Sequence, residues 1–174
     1  MLLRQKELQL SGYTDMIQTD IHIAGGSKVN TYTQYGLIYV SADNRYDAPY
    51  KEMDKTTYPE EAGVHVIPTA VKDEFDYKVT FLIEGTTLAT INSRISTFNA
   101  ALISSTTPPT YKKVTFYNYS RKVKIVGYPQ PIPEAKDFWY TSLGNKTQSA
   151  MVEFIIHVVT PSECNFNDTS STPV

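Results

Sequence analysis

The chain holds a single cysteine, Cys164, so no internal disulfide can form and a disulfide-stapled secreted domain is excluded. Its three histidines, His22, His65 and His157, are scattered over different segments and lack the paired spacing of zinc sites. No apolar run approaches the roughly 18 residues that a membrane helix needs. Positive charge is not in excess either. The 16 Lys and Arg stand against 18 Asp and Glu, a formal charge of −2, which argues against a protein built to coat nucleic acid. The opening "MLLRQKELQL" lacks the hydrophobic core and small-residue cleavage site of a signal peptide, so a product made in the cytosol is expected.

Catalytic patterns are also missing. "GTT" and "AGG" do not fit the GxxxxGK[ST] or GxGxxG spacing of phosphate-binding loops. Carboxylates are plentiful, which leaves a glycosidase-like pair open, but the adjacent Glu60 and Glu61 read more simply as a solvated loop face. Cys164 lies beside a polar end segment with no base nominated nearby, as a nucleophile would require. Asn118 and Asn145 fit the N-x-[ST] pattern, which has no meaning without secretion. No enzyme activity, metal or cofactor is expected.

What is present is strand. The 174 residues, 41% apolar, suffice for one domain with a real core. In "EFDYKVTFLIEG", Phe75, Tyr77, Val79, Phe81 and Ile83 fall on one face, and Asp76, Lys78, Thr80 and Glu84 on the other. "SAMVEFIIHVV" places Val152, Phe154, Ile156 and Val158 on one apolar face. "DMIQTDIHIAGG" alternates through Ile21 and Ile23, and "YGLIYVSA" is a nearly continuous apolar run. His22 and His157 take the polar phase of their strands, so both are expected to face solvent. "YKKVTFYNY" and "RKVKIVGY", separated by Ser120, predict a hairpin.

One segment reads as a helix, "TTLATINSRISTFNAALIS", about residues 86–104. Leu88, Ile91, Ile95, Phe98 and Leu102 form one apolar stripe, Thr86 or Thr87 caps the start, and Pro108 and Pro109 limit the far side. Asn92, opposite the stripe, is expected to be replaceable at little cost. A helix with one apolar stripe must lie on a sheet, so the class is α+β, mostly β. Residues 1–166 read as a single domain, and the polar segment 167–174 as a poorly ordered tail.

Two biases bear on function. There are 13 tyrosines and one tryptophan, many of the tyrosines in loops, where they suit surfaces that meet a partner as well as ordinary strands. Charge is also unevenly placed. A long loop at about residues 48–63, with Asp54, Glu60 and Glu61 among its acids, carries Tyr50, Met53 and Tyr58 as adhesive side chains. The hairpin 111–128 carries Lys112, Lys113, Arg121, Lys122 and Lys124 and no acid. These are either two solvated faces or an acidic arm that meets a basic hairpin, within a subunit or between neighbours.

The order of these pieces resembles the N-terminal domain of siphophage distal tail proteins, in the superfamily of phage tail-tube and baseplate-hub ring proteins. The resemblance runs from about residue 33 to residue 166. It comprises "YGLIYVSADNRYD", the loop "APYKEMDKTTYPEEAGVHVI", the strand "FDYKVTFLIEG", the helix "TTLATINSRISTFNAAL", the hairpin "YKKVTFYNYSRKVKIVGY" and the closing "MVEFIIHVVTPSECNF". It implies a β-sandwich or split barrel flanked by one helix, assembled as a hexameric ring in a virion tail. Other tail proteins dock on such a ring, and DNA only passes through its channel, without specific binding and without a membrane. The typical distal tail protein continues into a second β-domain, often carbohydrate-binding-like, and none is read in these 174 residues. Tyr50, Met53, Asp54, Tyr58, Glu60 and Glu61 would form an assembly arm, and Lys112, Lys113, Arg121, Lys122 and Lys124 its counterpart. A monomeric β-sandwich that binds carbohydrate or protein is the alternative.

Overall fold

The computed structural model describes residues 19–51, 54–57, 64–67, 71–137, 139–140 and 148–174, and the main chain alone at 54–57, 64–67 and 139–140. Ten strands and two helices follow in chain order. They are β1 (Thr19–Ile23), β2 (Lys28–Asn30), α1 (Thr31–Tyr35), β3 (Leu37–Ala42), β4 (Asp54–Thr57), β5 (Val64–Ile67) and β6 (Phe75–Gly85). Then come α2 (Leu88–Ala101), β7 (Val114–Asn118), β8 (Val123–Pro129), β9 (Trp139–Tyr140), β10 (Gln148–Val158) and a 3-10 turn at Pro161–Glu163. The fold is α+β and mostly β, as the alternating segments predict.

The main sheet runs β2-β1-β7-β8-β10-β6-β3, with β9 paired to β10. Its backbone is the antiparallel pair β6 and β10, in register from Phe75 opposite Val158 to Gly85 opposite Gln148. Both strands keep an apolar side chain at every second position from Phe75 to Ile83 and from Ala150 to Val158, which holds so long a ladder in one register. β7 and β8 form the expected hairpin, from Val114 opposite Gly127 to Asn118 opposite Val123.

The sheet is folded over on itself. Three strand steps separate β7 from β6, a distance of roughly 14 Å in a flat sheet. Yet the rings of Phe116 on β7 and Phe81 on β6 meet edge to face, 6.2 Å apart. The crease lies where β8 pairs with β10 through only Pro129–Ile156 and Tyr128–His157. Gly127 stands at that crease, where a Cβ would come 2.4 Å from the carbonyl oxygen of His157. Only glycine lets the two strands approach this closely.

α2 covers the open side. Thr87, in an extended conformation, caps it by accepting from the N–H of Thr90 at 3.1 Å. At its other end, Lys112 donates its main-chain N–H to Leu102 O at 2.8 Å and its Nζ to Ala101 O at 3.3 Å, so two late carbonyls are satisfied. The helix is therefore slightly shorter at each end than the sequence predicts. Ile91, Ile95, Phe98 and Leu102 are buried, whereas Leu88 is only half-buried. Phe98 packs edge-on against Phe154 of β10 at 5.2 Å and against Tyr35 of α1 at 4.9 Å. Burying a phenylalanine of this kind contributes about 1.5–3 kcal/mol.

Three sequence expectations need correction. α1 was not foreseen, because a single turn leaves no periodicity to read. Asn30 caps it by accepting from the N–H groups of Tyr32 and Thr33, and Gly36, at φ 71°, ends it in the left-handed region. The long loop contains a β-ribbon: Asp54 pairs opposite Ile67 and Thr57 opposite Val64. The C-terminal residues are not a loose tail but are tied to the body, as described below.

Candidate interaction surface

The base of the arm is stapled. Lys51 donates its N–H to Val71 O at 3.0 Å and Asp73 donates to Pro49 O at 2.7 Å, with Tyr50 bridged to Lys72 between them. The Lys72 ammonium stands 3.6 Å from the centre of the Tyr50 ring and pairs with Asp47. The hydrogen bond from Lys72 holds the Asp47 carboxyl below the usual carboxylate range, helped by the Ala48 N–H. Desolvation opposes the charge on Lys72, but its bonds to Asp47 and Tyr50 outweigh that and raise it. Tyr50 is 58% exposed and Tyr46, just before it, 82% exposed. Aromatic surface is thus held out at a fixed point.

Of the arm residues singled out from the sequence, Tyr50 is the one whose side chain is placed. Asp54 lies in β4, where the main chain alone is described, and Met53, Tyr58, Glu60 and Glu61 lie outside the described residues. The described acids near the arm are spent locally. Asp43 accepts from the N–H of Lys78 at 3.2 Å, and Asp47 pairs with Lys72. Neither meets the basic hairpin.

The hairpin residues divide into two groups. Lys112 is used at the end of α2, and Lys113 pairs with Glu163, whose hydrogen bond raises the lysine. Arg121 donates to Asn44 Oδ1 at 2.9 Å, which ties the hairpin tip to the chain just before the arm. Lys122 and Lys124 make no side-chain ion pair among the described residues. Lys122 also sits at φ 53°, in the left-handed region that glycine or asparagine takes at less cost. The turn it closes is held by Asn118, whose Oδ1 accepts from the Ser120 hydroxyl at 2.8 Å and the Arg121 N–H at 3.2 Å.

The expected surface histidines behave differently from one another. His22 hydrogen-bonds Gly26 O at 3.1 Å. His157 stands between two carboxylates, 2.8 Å from Asp76 and 3.8 Å from Glu74, on the outer face of β10 and β6. The side chain of His65 is outside the described residues. Cys164 is a structural group. Its sulfur accepts from Val126 N at 3.3 Å and donates to Val126 O at 3.7 Å, and burial pushes the thiol up.

A second cluster gave no sequence signal. Asp20 takes a polar-phase position in β1, where an aspartate reads as solvated, yet it is fully buried. Its Oδ2 accepts from the Tyr119 hydroxyl at 2.8 Å and from the N–H of Val174 at 2.9 Å, and its Oδ1 from Asn30 at 3.2 Å. Lys28 lies 3.9 Å from the same carboxylate and over the stacked rings of Tyr117 and Tyr119. Burial and the bond to Asp20 raise the Tyr119 hydroxyl.

What buries Asp20 includes the C-terminal segment. Asn165 exchanges two main-chain hydrogen bonds with Lys124, both 2.8 Å, and Asp168 N donates to Lys122 O at 2.6 Å. Thr172 O then accepts from Lys28 Nζ and lies 2.9 Å from the Tyr119 hydroxyl oxygen, whose one proton is shared between Thr172 O and Asp20. Residues 165–174 thereby run from the side of β8 across β7 to β1. Phe166 anchors the start, 6.1 Å from Phe75. Desolvation works against charge on Asp168, but the hydroxyls of Ser171 and Ser170 hold its carboxyl below the usual range.

No protein-family model matches the chain, and no curated protein matches it. Among solved structures, the crystal structure of the SPP1 Dit (gp 19.1) protein is similar over 79% of this chain and 49% of that one, at 17% identity and a TM-score of 0.44. That protein is described as a paradigm of hub adsorption apparatus in phages that infect Gram-positive hosts, and this chain spans about half its length.

Proposed function

We propose that this chain is a non-catalytic structural component of a phage or prophage tail, which self-assembles into a ring around the DNA channel and docks other tail proteins. The order of strand, arm, strand, helix, hairpin and closing strand is the sequence pattern that suggests it. The observation that carries it is the pairing left unmade. Lys122 keeps a lysine where a smaller residue would be less strained, and neither it nor Lys124 has an ionic partner among the described residues. The left-handed backbone at Lys122 serves the turn, and what its side chain and that of Lys124 do lies outside these local contacts. The acidic arm of an adjacent subunit supplies the complementary charge in this reading. A head-to-tail contact of two different surfaces closes into a ring when the rotation per subunit fits. Opposite charges set orientation and speed encounter, and the tyrosines at the arm supply contact area.

Light scattering and negative-stain microscopy test this directly. The expected result is a species of six 19.6 kDa subunits that appears as a ring. The stapled base, where residues 49–51 meet 71–73, gives clean cut points for a variant in which residues 52–70 are replaced by a short Gly/Ser linker. That variant should stay folded and monomeric. Rings formed equally well without the arm would overturn the assembly reading. A parent chain that stays monomeric at high concentration but binds sugars would favour the carbohydrate module instead.

A further inference from the structure

We propose that the outer face formed by Asp20, Lys28 and Tyr119 is a receptor for an extended peptide, and that residues 168–174 of a second copy of this chain take the place of the chain's own. The proposal does not depend on the tail reading, because receptor and ligand both lie on this chain. The receptor is preformed: Asp20 sits on β1, hydrogen-bonded between β2 and β7, and Asn30, Lys28 and Tyr119 converge on its two oxygens. The ligand is held differently. It is gripped through main-chain groups, the carbonyl of Thr172 and the N–H groups of Asp168 and Val174. Within 168–174, Asp168 alone is buried, so almost no apolar surface fixes the segment.

This asymmetry sets the behaviour. A segment held by a few polar bonds opens far more often than the body unfolds. Opening takes the Val174 N–H from the Asp20 carboxylate, which keeps Asn30, Tyr119 and Lys28 around it, so the site stays formed for refilling. An identical segment from a neighbour makes the same bonds, so exchange costs nothing in contacts and depends on concentration alone, as in domain swapping.

The test uses a chain ending at Asn167 and a fluorescent peptide of sequence DTSSTPV, residues 168–174. One-to-one saturable binding is expected. An N-methyl group on the Val174 nitrogen should weaken it at least about tenfold, because it removes the donor to Asp20. A Thr172→Ala peptide should bind within about twofold of the parent, since Thr172 is used through its carbonyl. In the intact chain, a photo-crosslinker at position 172 and two mass-tagged preparations should give mixed crosslinked pairs that rise with concentration. Absence of peptide binding by a shortened chain that keeps its fold overturns the proposal. So do crosslinks confined to single copies at every concentration, and that measurement decides alone if the shortened chain does not fold.

Discussion

Asn92 and Asn99 stand two turns apart on α2, and each closes a double hydrogen bond with a single residue of the segment 130–137. Asn92 donates to Ala135 O at 3.2 Å and accepts from Ala135 N at 2.8 Å. Asn99 does the same with Ile132, at 2.8 and 2.9 Å. A side-chain amide presents one donor and one acceptor side by side, the same pair a strand neighbour would offer. The segment after β8 is thus held to the helix by two amide clamps, and Ile132 is buried beneath it.

The expectation that Asn92 is dispensable is therefore reversed. Asn92→Ala and Asn99→Ala should each lower stability by about 1–2 kcal/mol, the cost of leaving main-chain groups without partners. Asn→Asp at either site keeps the acceptor but faces a carbonyl with an oxygen, and should cost at least as much. Urea unfolding measures both, and a change under about 0.3 kcal/mol would show that the clamps contribute nothing.

The apolar stripe of α2 should be graded rather than uniform. Phe98→Ala, in the centre of the aromatic contacts, is expected to cost about 3–5 kcal/mol. Leu88→Ala should cost less than half of that, because Leu88 remains half exposed. Equal losses in thermal melts would mean that the helix packs in another rotation.

Lys122 separates stability from assembly. Lys122→Gly should raise stability by about 0.5–1 kcal/mol by relieving the left-handed backbone. The same change should weaken any assembly that uses the charge. Reversal of Lys122 and Lys124 to glutamate should weaken assembly further and reduce its sensitivity to salt, because screening acts on the same two surfaces. A ring unaffected by both variants would remove the basic hairpin from the interface.

Acid should release the C-terminal segment before the body. Asp168 is held below its ordinary value, so its bonds to Ser170 and Ser171 add stability above the unfolded pKa of about 3.9. That contribution is lost as the pH falls through the lower folded value. Hydrogen exchange at residues 168–174 should therefore accelerate below about pH 4 while the β6–β10 ladder stays protected. A Ser170→Ala/Ser171→Ala variant should shift the onset to higher pH. Simultaneous loss of both regions would count against a separate segment.

Much of the frame was legible from residue order. β6 and β10 alternate so regularly that their inward faces, Phe75 to Ile83 and Val152 to Val158, could be named residue by residue. Four of the five stripe residues of α2 are buried, and the hairpin turn falls at Ser120 as read. What was not legible rests on distant pairing. Asp20 looks solvated in β1 because nothing local reveals that Tyr119, Asn30 and Val174 reach it. Asn92 and Asn99 look like the polar side of a helix because the segment they bind has no pattern of its own. The segment 165–174 is held to the body through its own main-chain groups, which leave no mark on side-chain composition.

The run of residues 164–168 beside β8 also guards the molecule against its own kind. β8 turns one side to β7, and beyond the crease β10 covers only Tyr128 and Pro129 of the other. Asn165, Asp168 and the sulfur of Cys164 occupy the remaining main-chain groups of Lys122, Lys124 and Val126. A chain cut before Cys164 would bare that row as a template for strand addition by any other extended chain. Its defect would first appear as loss of solubility, in a protein whose core was still intact.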